Sequence, residues 1–232
     1  MTYTILGHCP RTGELGVGIA TYSVAVGGLC PAAKCHVGAV TSQAFVNPEI
    51  KSLGLALLDQ GYSAVHALAI LKQGDAHLDY RQIGLIDREG RTAVHTGANN
   101  RGWAGHKAGR GYVALGNVLA GEAVVAAMAA AFEASDGQSL SHRLLLAIEA
   151  GRDAGGQVGS RGHLPERSAS LLVRGNSDLD GVDLRVDMHP HAVEDLRRIH
   201  DAFRPYAAFN RQRWLEPAAA PAQEAFVASL PS

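Results

Sequence analysis

The second residue of the chain, Thr2, could carry out chemistry with its own groups alone. If Met1 is removed, Thr2 carries both a hydroxyl nucleophile and a free α-amine. An α-amine titrates at about 7.7–8.0 in model peptides, so it can accept the proton of the adjacent hydroxyl, a step that otherwise requires a separate histidine. While Met1 is attached, that nitrogen is an amide and cannot act as a base. Thr2 is therefore a candidate catalytic nucleophile that depends on removal of Met1.

Thr2 lies at the start of a predicted β-hairpin. Thr2–Leu6 alternates polar and apolar residues, Pro10–Gly13 has the composition of a turn, and Leu15–Ala20 is a continuous small and apolar run. Such a run is typical of a strand buried on both faces, in a sheet covered by helices. We expect the two strands to pair, and we expect a third strand over Val37–Val40.

Polar residues follow this third strand where it ends. They include Thr41, Gln43 and Asn47. A strand end beside a nucleophile is a place for oxyanion donors and for amides that orient a substrate. Turn chemistry is the alternative for these residues, and Asn47 before Pro48 is also typical of a helix start. We favour a functional role for Gln43, because it is a long amide among small residues.

His95 and Asn117 each end a predicted strand next to a glycine. The loop after His95 contains Trp103 and His106, and small-molecule pockets are built from such mixtures of aromatic and polar groups. A buried histidine bonded to the backbone is the alternative for His95. Asn117 could instead hold a turn in shape. Both residues are retained as candidate substrate-binding residues.

Eleven histidines raise the question of a metal site. Only His189 and His191 lie close together in the sequence, on either side of Pro190, and no HExxH motif or Cys/His ligand spacing occurs. The glycine pairs Gly27–Gly28 and Gly155–Gly156 do not follow the strand-to-helix pattern of a phosphate-binding loop. We expect no metal and no cofactor.

The composition indicates one domain with a substantial core. The chain has 232 residues, 47% of them hydrophobic, and a formal net charge of −1. Without a basic excess, nucleic acid and anionic membranes are poor candidate partners, and we expect no membrane association. Three cysteines, an odd number without zinc-site spacing, favour a reduced, cytoplasmic location.

The rest of the chain alternates between helix and strand signals. Gly151–Arg167 is polar and glycine-rich and predicts a mobile surface loop. Residues 1–204 are predicted to form a single domain, and residues 205–232 an Ala/Pro-rich tail. Helices are predicted over Ser52–Gln60, Ser63–Lys72, Glu122–Ala134, Leu140–Ala150 and from Pro190, and strands over Gln82–Ile86, Thr92–Thr96, Tyr112–Asn117, Ser168–Arg174 and Val182–Asp187.

Five segments carry a resemblance to a known family: TGELGVGIAT, VGAVTSQAFVNP, HTGANNRGWAGH, GNVLAG and DLRVDMHPHAV. Together they resemble domain of unknown function 1028, a bacterial family that is classed with the N-terminal nucleophile (Ntn) hydrolases. This resemblance implies an α+β fold, a four-layer α/β/β/α sandwich with two stacked, mainly antiparallel sheets between helix layers. The order of helices and strands permits the same architecture.

The resemblance also implies a role for one further residue. Lys34 precedes the third strand, where the proteasome-like pattern places a lysine whose charge assists deprotonation of the nucleophile. A solvated lysine at a strand start is the alternative. The aspartate of the proteasome pattern is missing, and Thr21 and Ser23 occupy that region. A strict proteasome mechanism is therefore not expected.

The sequence thus favours hydrolysis of an amide bond in a small metabolite. Thr2 would attack the carbonyl, its amine or Lys34 through water would handle the proton, and donors near Ser23, Gln43 or Asn117 would hold the oxyanion. One alternative is a non-catalytic metabolite-binding or assembly module, since fold alone does not confer function. A cysteine hydrolase that uses Cys9 or Cys35 with His36 is less favoured, because adjacent residues of a strand point to opposite faces.

The tail carries aromatic residues with little core of their own, namely Tyr206, Phe209 and Trp214. Exposed aromatic side chains in such an arm are best buried against a partner or against the domain. The sequence therefore predicts a homo-oligomer, with a dimer as the favoured state.

Overall fold

The computed structural model describes residues 1–177 and 181–230. Its strands are β1 (Thr2–His8), β2 (Leu15–Thr21), β3 (Pro31–Lys34), β4 (Gly38–Ala44), β5 (Arg81–Asp87), β6 (Thr92–Thr96), β7 (Trp103–Gly109), β8 (Tyr112–Leu119), β9 (Gln157–Gly159), β10 (Gly162–Leu164), β11 (Ser168–Arg174) and β12 (Val182–Val186). Its α-helices are α1 (Val26–Leu29), α2 (Pro48–Asp59), α3 (Ala64–Gly74), α4 (Glu122–Ala134), α5 (Leu140–Asp153), α6 (Ala192–Leu215) and α7 (Gln223–Ala228).

The strands form two antiparallel sheets. In the larger sheet the order is β10-β9-β8-β1-β2-β11-β12, and β7 also pairs with β8. In the smaller sheet the order is β3-β4-β5-β6. The first hairpin, β1 and β2, therefore lies in the middle of the larger sheet.

Three apolar layers hold the sheets and helices together. Side chains of β1 alternate, so Tyr3 and Ile5 pack against α4 and α5, whereas Leu6 packs between the two sheets. On the other side, the smaller sheet buries Val40 and Ile83 against α2 and α3. The order of layers is helix, sheet, sheet, helix, and the predicted α/β/β/α sandwich is confirmed.

The helices that cover the smaller sheet begin at side-chain caps. Asn47 accepts a hydrogen bond from the Glu49 amide and Ser63 from the His66 amide. These caps satisfy amides that have no partner within the helix. In the described part of the chain, no helix is both long and apolar enough to cross a membrane.

We expect the backbone amides of β1 and β2 to be among the slowest in the protein to exchange with solvent. Both strands have a hydrogen-bonded neighbour on each side, and all residues of β2 are buried. Exchange from such strands requires opening close to global unfolding. Hydrogen exchange followed by mass spectrometry tests this expectation, and rapid exchange across Thr2–Leu6 would contradict it.

Several segments differ from the sequence predictions. The strand predicted over Val37–Val40 corresponds to β4, which continues to Ala44, so Thr41 and Gln43 lie within the strand and not after its end. Gly151–Arg167 is not one loop, since β9 and β10 form a short hairpin within it. The last helix, α6, continues past Arg204 to Leu215, and α7 folds back on it. Phe209 and Phe226 stack there with ring centroids 3.9 Å apart, which gives this arm a small apolar contact of its own. The domain boundary at residue 204 stays a prediction, and residues 231 and 232 of the predicted tail lie outside the described part.

Candidate functional site

Thr2 lies at the first position of β1 and is 6% exposed. Its Oγ1 donates a hydrogen bond to the Met1 carbonyl oxygen at 2.6 Å and lies 3.1 Å from Thr21 Oγ1. The Thr21 hydroxyl also donates to the Met1 carbonyl. Two threonine hydroxyls therefore converge on the carbonyl of the peptide bond that precedes Thr2.

The sheet register explains this convergence. Thr2 pairs with Thr21 on β2 and with Asn117 on β8. Residues directly opposite in an antiparallel pair place their side chains on the same face. That face is the one that carries Leu6, four residues along β1, so all three polar side chains point toward the smaller sheet.

A buried network of neutral amides continues from this row into the smaller sheet. Thr4 Oγ1 donates to Gln43 Oε1 at 2.5 Å, and Gln43 Nε2 donates to Gln82 Oε1 at 2.8 Å. Asn117 Nδ2 donates to the same Gln82 oxygen at 3.0 Å. Gln82 Nε2 in turn donates to the Gly116 carbonyl oxygen at 2.8 Å. Gln43 and Asn117, which the sequence assigned to the site, thus lie close together.

Thr41 lies two residues before Gln43 on β4 and therefore on the same face. It is fully buried, and within the described residues its Oγ1 has no hydrogen-bond partner. An unpaired buried hydroxyl costs free energy. Among the predicted substrate-binding residues, Thr41 is therefore the one whose hydroxyl could still bond a ligand.

The α-amine of Met1 is in an unusual environment for a chain terminus. Burial lowers its pKa from 8.0 to about 6, and the nearby Cys30 opposes this shift slightly. Burial also raises the pKa of the Cys30 thiol to about 12, against the opposing effects of Lys51 and the α-amine. Lys51 Nζ donates to the Gly28 carbonyl oxygen at 2.7 Å. Lys51 on α2 is thus a cation whose charge acts on Cys30, the thiol next to the α-amine.

Lys34 is not brought to this cluster. Its Nζ lies 2.6 Å from Asp59 Oδ2 at the end of α2, and the two side chains are 54% and 48% exposed. The local sequence could not show this, because Asp59 is distant from Lys34 in the chain. The solvated role, given above as the alternative, is the one that the geometry supports.

We expect Lys34→Met to change the free energy of unfolding by no more than about 1 kcal/mol, because exposed ion pairs contribute roughly 0–1 kcal/mol. Urea unfolding of the variant beside the parent protein measures this. A larger loss would show that Lys34 does more than pair with Asp59 at the surface.

Ser23 reaches the cluster through its backbone. The Ser23 amide donates to Thr21 Oγ1 at 3.3 Å, while its carbonyl oxygen accepts from Ser168 Oγ at 2.9 Å. The Ser23 side chain is exposed. Ser23 was predicted to lie near the oxyanion, and the group that it directs toward the cluster is its backbone N–H.

Asn47 and His95 have local structural roles instead. Asn47 caps α2 and also donates to Asp75 Oδ2 at 3.4 Å. His95 pairs with Ile83 across β5 and β6, on the face that packs against α3, and its Nε2 lies 3.1 Å from the Leu78 carbonyl oxygen. Neither side chain is part of the cluster around Thr2. The helix cap at Asn47 and the backbone contact of His95 are the alternatives given in the sequence analysis.

Sequence reasoning did not select Gln82, although Gln82 connects the network. It lies near the start of β5, just before the buried run Ile83–Ile86. Gln43 was selected because it is a long amide next to an apolar strand, and the same criterion would have selected Gln82. Thr21 was noticed in the sequence only as a replacement for an aspartate.

A cavity of about 480 Å³ lies beside the end of β2. Its lining includes Tyr22, Arg167 and His189. The Arg167 amide donates to the Thr21 carbonyl oxygen at 2.8 Å, and the Arg167 guanidinium lies 5.6 Å from the Tyr22 ring centroid. Guanidinium groups recognise carboxylates well, so Arg167 gives this cavity a group that could bind an anion, although neither Thr2 nor Thr21 is part of its lining.

Across residues 1–177 and 181–230, no group of three or more His, Cys, Asp or Glu side chains is placed to hold a metal ion. The cluster around Thr2 consists of hydroxyl and amide groups.

Comparisons with known proteins identify relatives of unknown function. The model of the family of unknown function DUF1028 matches residues 2–196. A crystal structure of a DUF1028 protein from Silicibacter pomeroyi has a TM-score of 0.82 and 31% sequence identity, and the match covers 91% of this chain and 94% of that chain. Anbu, an ancestral β-subunit from Yersinia bercovieri, has a TM-score of 0.37 and 12% identity, with coverage of 99% and 98%. No curated protein matches.

Proposed function

The chain belongs to the DUF1028 family of unknown function, and from that premise we propose that it is an Ntn-type amidohydrolase that cleaves an amide bond of a small metabolite. Thr2 is the nucleophile, and the active form is the one in which Thr2 is the first residue. The observation that carries the proposal is the buried Thr2 hydroxyl at the end of the central strand β1, in contact with the Thr21 hydroxyl.

The proposed reaction has two steps. Thr2 Oγ attacks the amide carbonyl carbon, its proton passes to the Thr2 α-amine and then to the leaving nitrogen, and the C–N bond breaks to leave an ester on Thr2. Water then hydrolyses this ester and returns the proton to Thr2. This is the order of events in acyl transfer by a hydroxyl nucleophile with an adjacent base. No metal or cofactor enters either step.

The burial at this end of β1 supports the α-amine as the base. The Met1 amine has its pKa lowered to about 6 by burial. Thr2 is itself buried, so desolvation acts in the same direction on its α-amine once Met1 is removed. A lowered amine pKa favours the unprotonated form that a general base needs.

The substrate-binding groups of the proposal come from the same cluster. The Ser23 amide and the Asn117 side chain are the donors for the oxyanion, and Thr41 and Gln43 orient the substrate from the smaller sheet. The cavity that follows the end of β2 has Arg167 in its lining, and this cation favours a substrate that carries a carboxylate. Lys34, Asn47 and His95 have no part in this form of the proposal.

Removal of Met1 is the decisive test. The intact mass of the protein purified from its native host should show the loss of methionine. Preparations with and without Met1 are then compared on a panel of small amides, with hydrolysis expected only where Met1 is absent. Equal hydrolysis by both preparations would reject the N-terminal mechanism.

A second candidate function is a metabolite-binding or assembly module without a nucleophile. The observation that favours it is that Gln43, Gln82 and Asn117 are bonded to one another and carry no charge. A Met1-free preparation that binds a small amide without turning it over would select this function. Turnover would exclude it.

We also propose a homodimer, located in the cytoplasm. The support for the dimer is the arm of α6 and α7, where Trp214, Leu215 and Val227 are 55%, 58% and 45% exposed. Exposed apolar groups clustered on one arm are typical of an interaction surface. The reduced-thiol argument from the sequence supports the cytoplasmic location.

Sedimentation velocity at micromolar concentration is expected to show a dimer. Trp214→Ser should shift the equilibrium toward the monomer, because the indole contributes apolar area to the contact. A compact monomer in the parent protein at the same concentration would reject the dimer.

A further inference from the structure

A second cavity, of about 470 Å³, lies at the opposite end of β1 from Thr2. His8, the last residue of β1, lines it, and the rise of a strand places His8 roughly 20 Å from Thr2. The cavity forms where the β1–β2, β5–β6 and β7–β8 turns meet the junction between α4 and α5. It is therefore separate from the site proposed above.

The turns give this cavity a defined backbone shape. Gly90 has φ +76°, and a Cβ added there would lie 2.6 Å from His8 Nδ1. Gly111 also has a positive φ, +73°. The His8 amide donates to the Gly111 carbonyl oxygen at 2.8 Å and so ties two of the turns together. Glycine is required where the backbone is left-handed and approaches a side chain this closely.

Arg143 supplies a buried guanidinium to the cavity wall. Its side chain is 7% exposed, and its Cζ lies 4.0 Å from the centroid of the Phe132 ring. Nη2 donates to the Phe132 carbonyl oxygen at 3.1 Å, and Nη1 lies 3.4 Å from Asp136 Oδ1. A guanidinium has five N–H donors, so these contacts leave Arg143 with donors for a ligand.

Arg110 adds a second cation on another wall. It is exposed, and no ion pair to it is found among the described residues. The three carboxylates of the lining are paired to different extents, and Asp136 contacts Arg143 through one oxygen only. Glu89 is paired with Arg88 and Arg91, and Glu133 Oε1 accepts from Tyr112 Oη at 2.5 Å. The second oxygen of Glu133 remains for a ligand.

We propose that this cavity binds a small zwitterion, an α-amino acid or a short peptide. Its carboxylate lies at Arg110 and Arg143, and its ammonium lies at Glu133 and Asp136. A simple anion would face the carboxylates, and a simple cation would face the guanidinium groups. A ligand with both charges satisfies both walls, and the cavity volume falls in the range of small-molecule sites. Binding here does not depend on the state of Thr2.

The test is binding of free α-amino acids and dipeptides to the full chain. A thermal-shift screen at millimolar concentration in an amine-free buffer identifies the best ligand, and calorimetry then compares it with its amide and its N-acetyl form. Each derivative lacks one charge, so each should bind weaker by about tenfold or more, the factor for a lost charge-assisted hydrogen bond. Equal affinity for the three forms would overturn the proposal, and so would no shift with any amino acid or dipeptide.

Two variants locate the binding. Arg110→Met should reduce affinity for the zwitterionic ligand about tenfold or more. It should leave affinity for the amide of that ligand unchanged, because the amide already lacks the carboxylate that Arg110 binds. Glu133→Gln should likewise reduce affinity for the zwitterionic ligand and leave affinity for its N-acetyl form unchanged, because that form already lacks the ammonium. Arg161→Met, an exposed arginine on the β9–β10 turn, is the matched control and should bind like the parent. Undiminished binding by both cavity variants would overturn the proposal.

Discussion

Replacing Thr2 with alanine in a preparation that has lost Met1 is expected to reduce amide hydrolysis by about 10³-fold or more, the size of effect seen when a catalytic nucleophile is removed. Alanine keeps the α-amine and the strand but removes the oxygen that forms the ester. The measurement is kcat on the best substrate of the amide panel, with parent and variant carried through the same processing step.

The same substitution should have little effect on stability. The Thr2 hydroxyl makes neutral hydrogen bonds near the sheet end, to Thr21 and to the Met1 carbonyl, and the latter is absent after processing. A neutral hydrogen bond contributes about 1 kcal/mol, which corresponds to a few degrees in Tm for a domain of this size. A large loss of activity with a small change in Tm therefore identifies a chemical role.

Thr2→Ser is the matched variant for this experiment. Serine keeps the hydroxyl and the amine, so it should retain measurable hydrolysis. Hydrolysis by Thr2→Ala at the parent rate would contradict the assignment of Thr2. Loss of hydrolysis in both variants, together with a fall in Tm beyond a few degrees, would indicate that position 2 matters for structure.

The sequence predicted the central hairpin because its information is local. Strand alternation and the turn at Pro10–Gly13 lie within two dozen residues, and β1 and β2 extend the predicted spans by only one or two residues. The helices of the α4–α5 pair were predicted for the same reason, since helical spacing is a local signal. Long-range pairing was not needed for either prediction.

The candidate site was predicted in part. Asn117 pairs with Thr2 across β1 and β8, whereas Gln43 faces it from the smaller sheet, and both donate to Gln82 Oε1. Lys34 and His95 satisfied similar local patterns, but their surroundings depend on register and on residues far away in the chain. His95 faces α3 because it pairs with Ile83, and a shift of one residue would have reversed that face.

The arm at the end of the chain shows the limit of composition. An Ala/Pro-rich segment favours an irregular tail, yet Pro205 lies inside α6. A proline removes one helical hydrogen bond and disfavours the helix interior. In the structure, Tyr206 and Phe209 of α6 pack against Phe226 of α7 in a helical hairpin. This contact could not be predicted from composition, because it depends on α7 folding back on α6.

Gln82→Ala is expected to lower the free energy of unfolding by about 3–5 kcal/mol, the upper part of the range for point substitutions. Gln82 is fully buried between the sheets, and its Oε1 accepts from both Gln43 and Asn117. Removing it leaves these two donors unsatisfied, at about 1–3 kcal/mol each, and opens a cavity. Urea unfolding with a shared m-value measures the change.

Gln60→Ala is the control for this prediction, because Gln60 is an exposed glutamine at the end of α2 and should change stability by no more than about 0.5 kcal/mol. A loss below about 1 kcal/mol in Gln82→Ala would mean that water or a relaxed side chain replaces the amide. The predicted loss would instead show that this network helps to hold the two sheets together. Asn117, which lies opposite Thr2, loses its Gln82 partner in the variant, so Gln82→Ala should also weaken any hydrolysis that depends on Thr2, at temperatures where the variant remains folded.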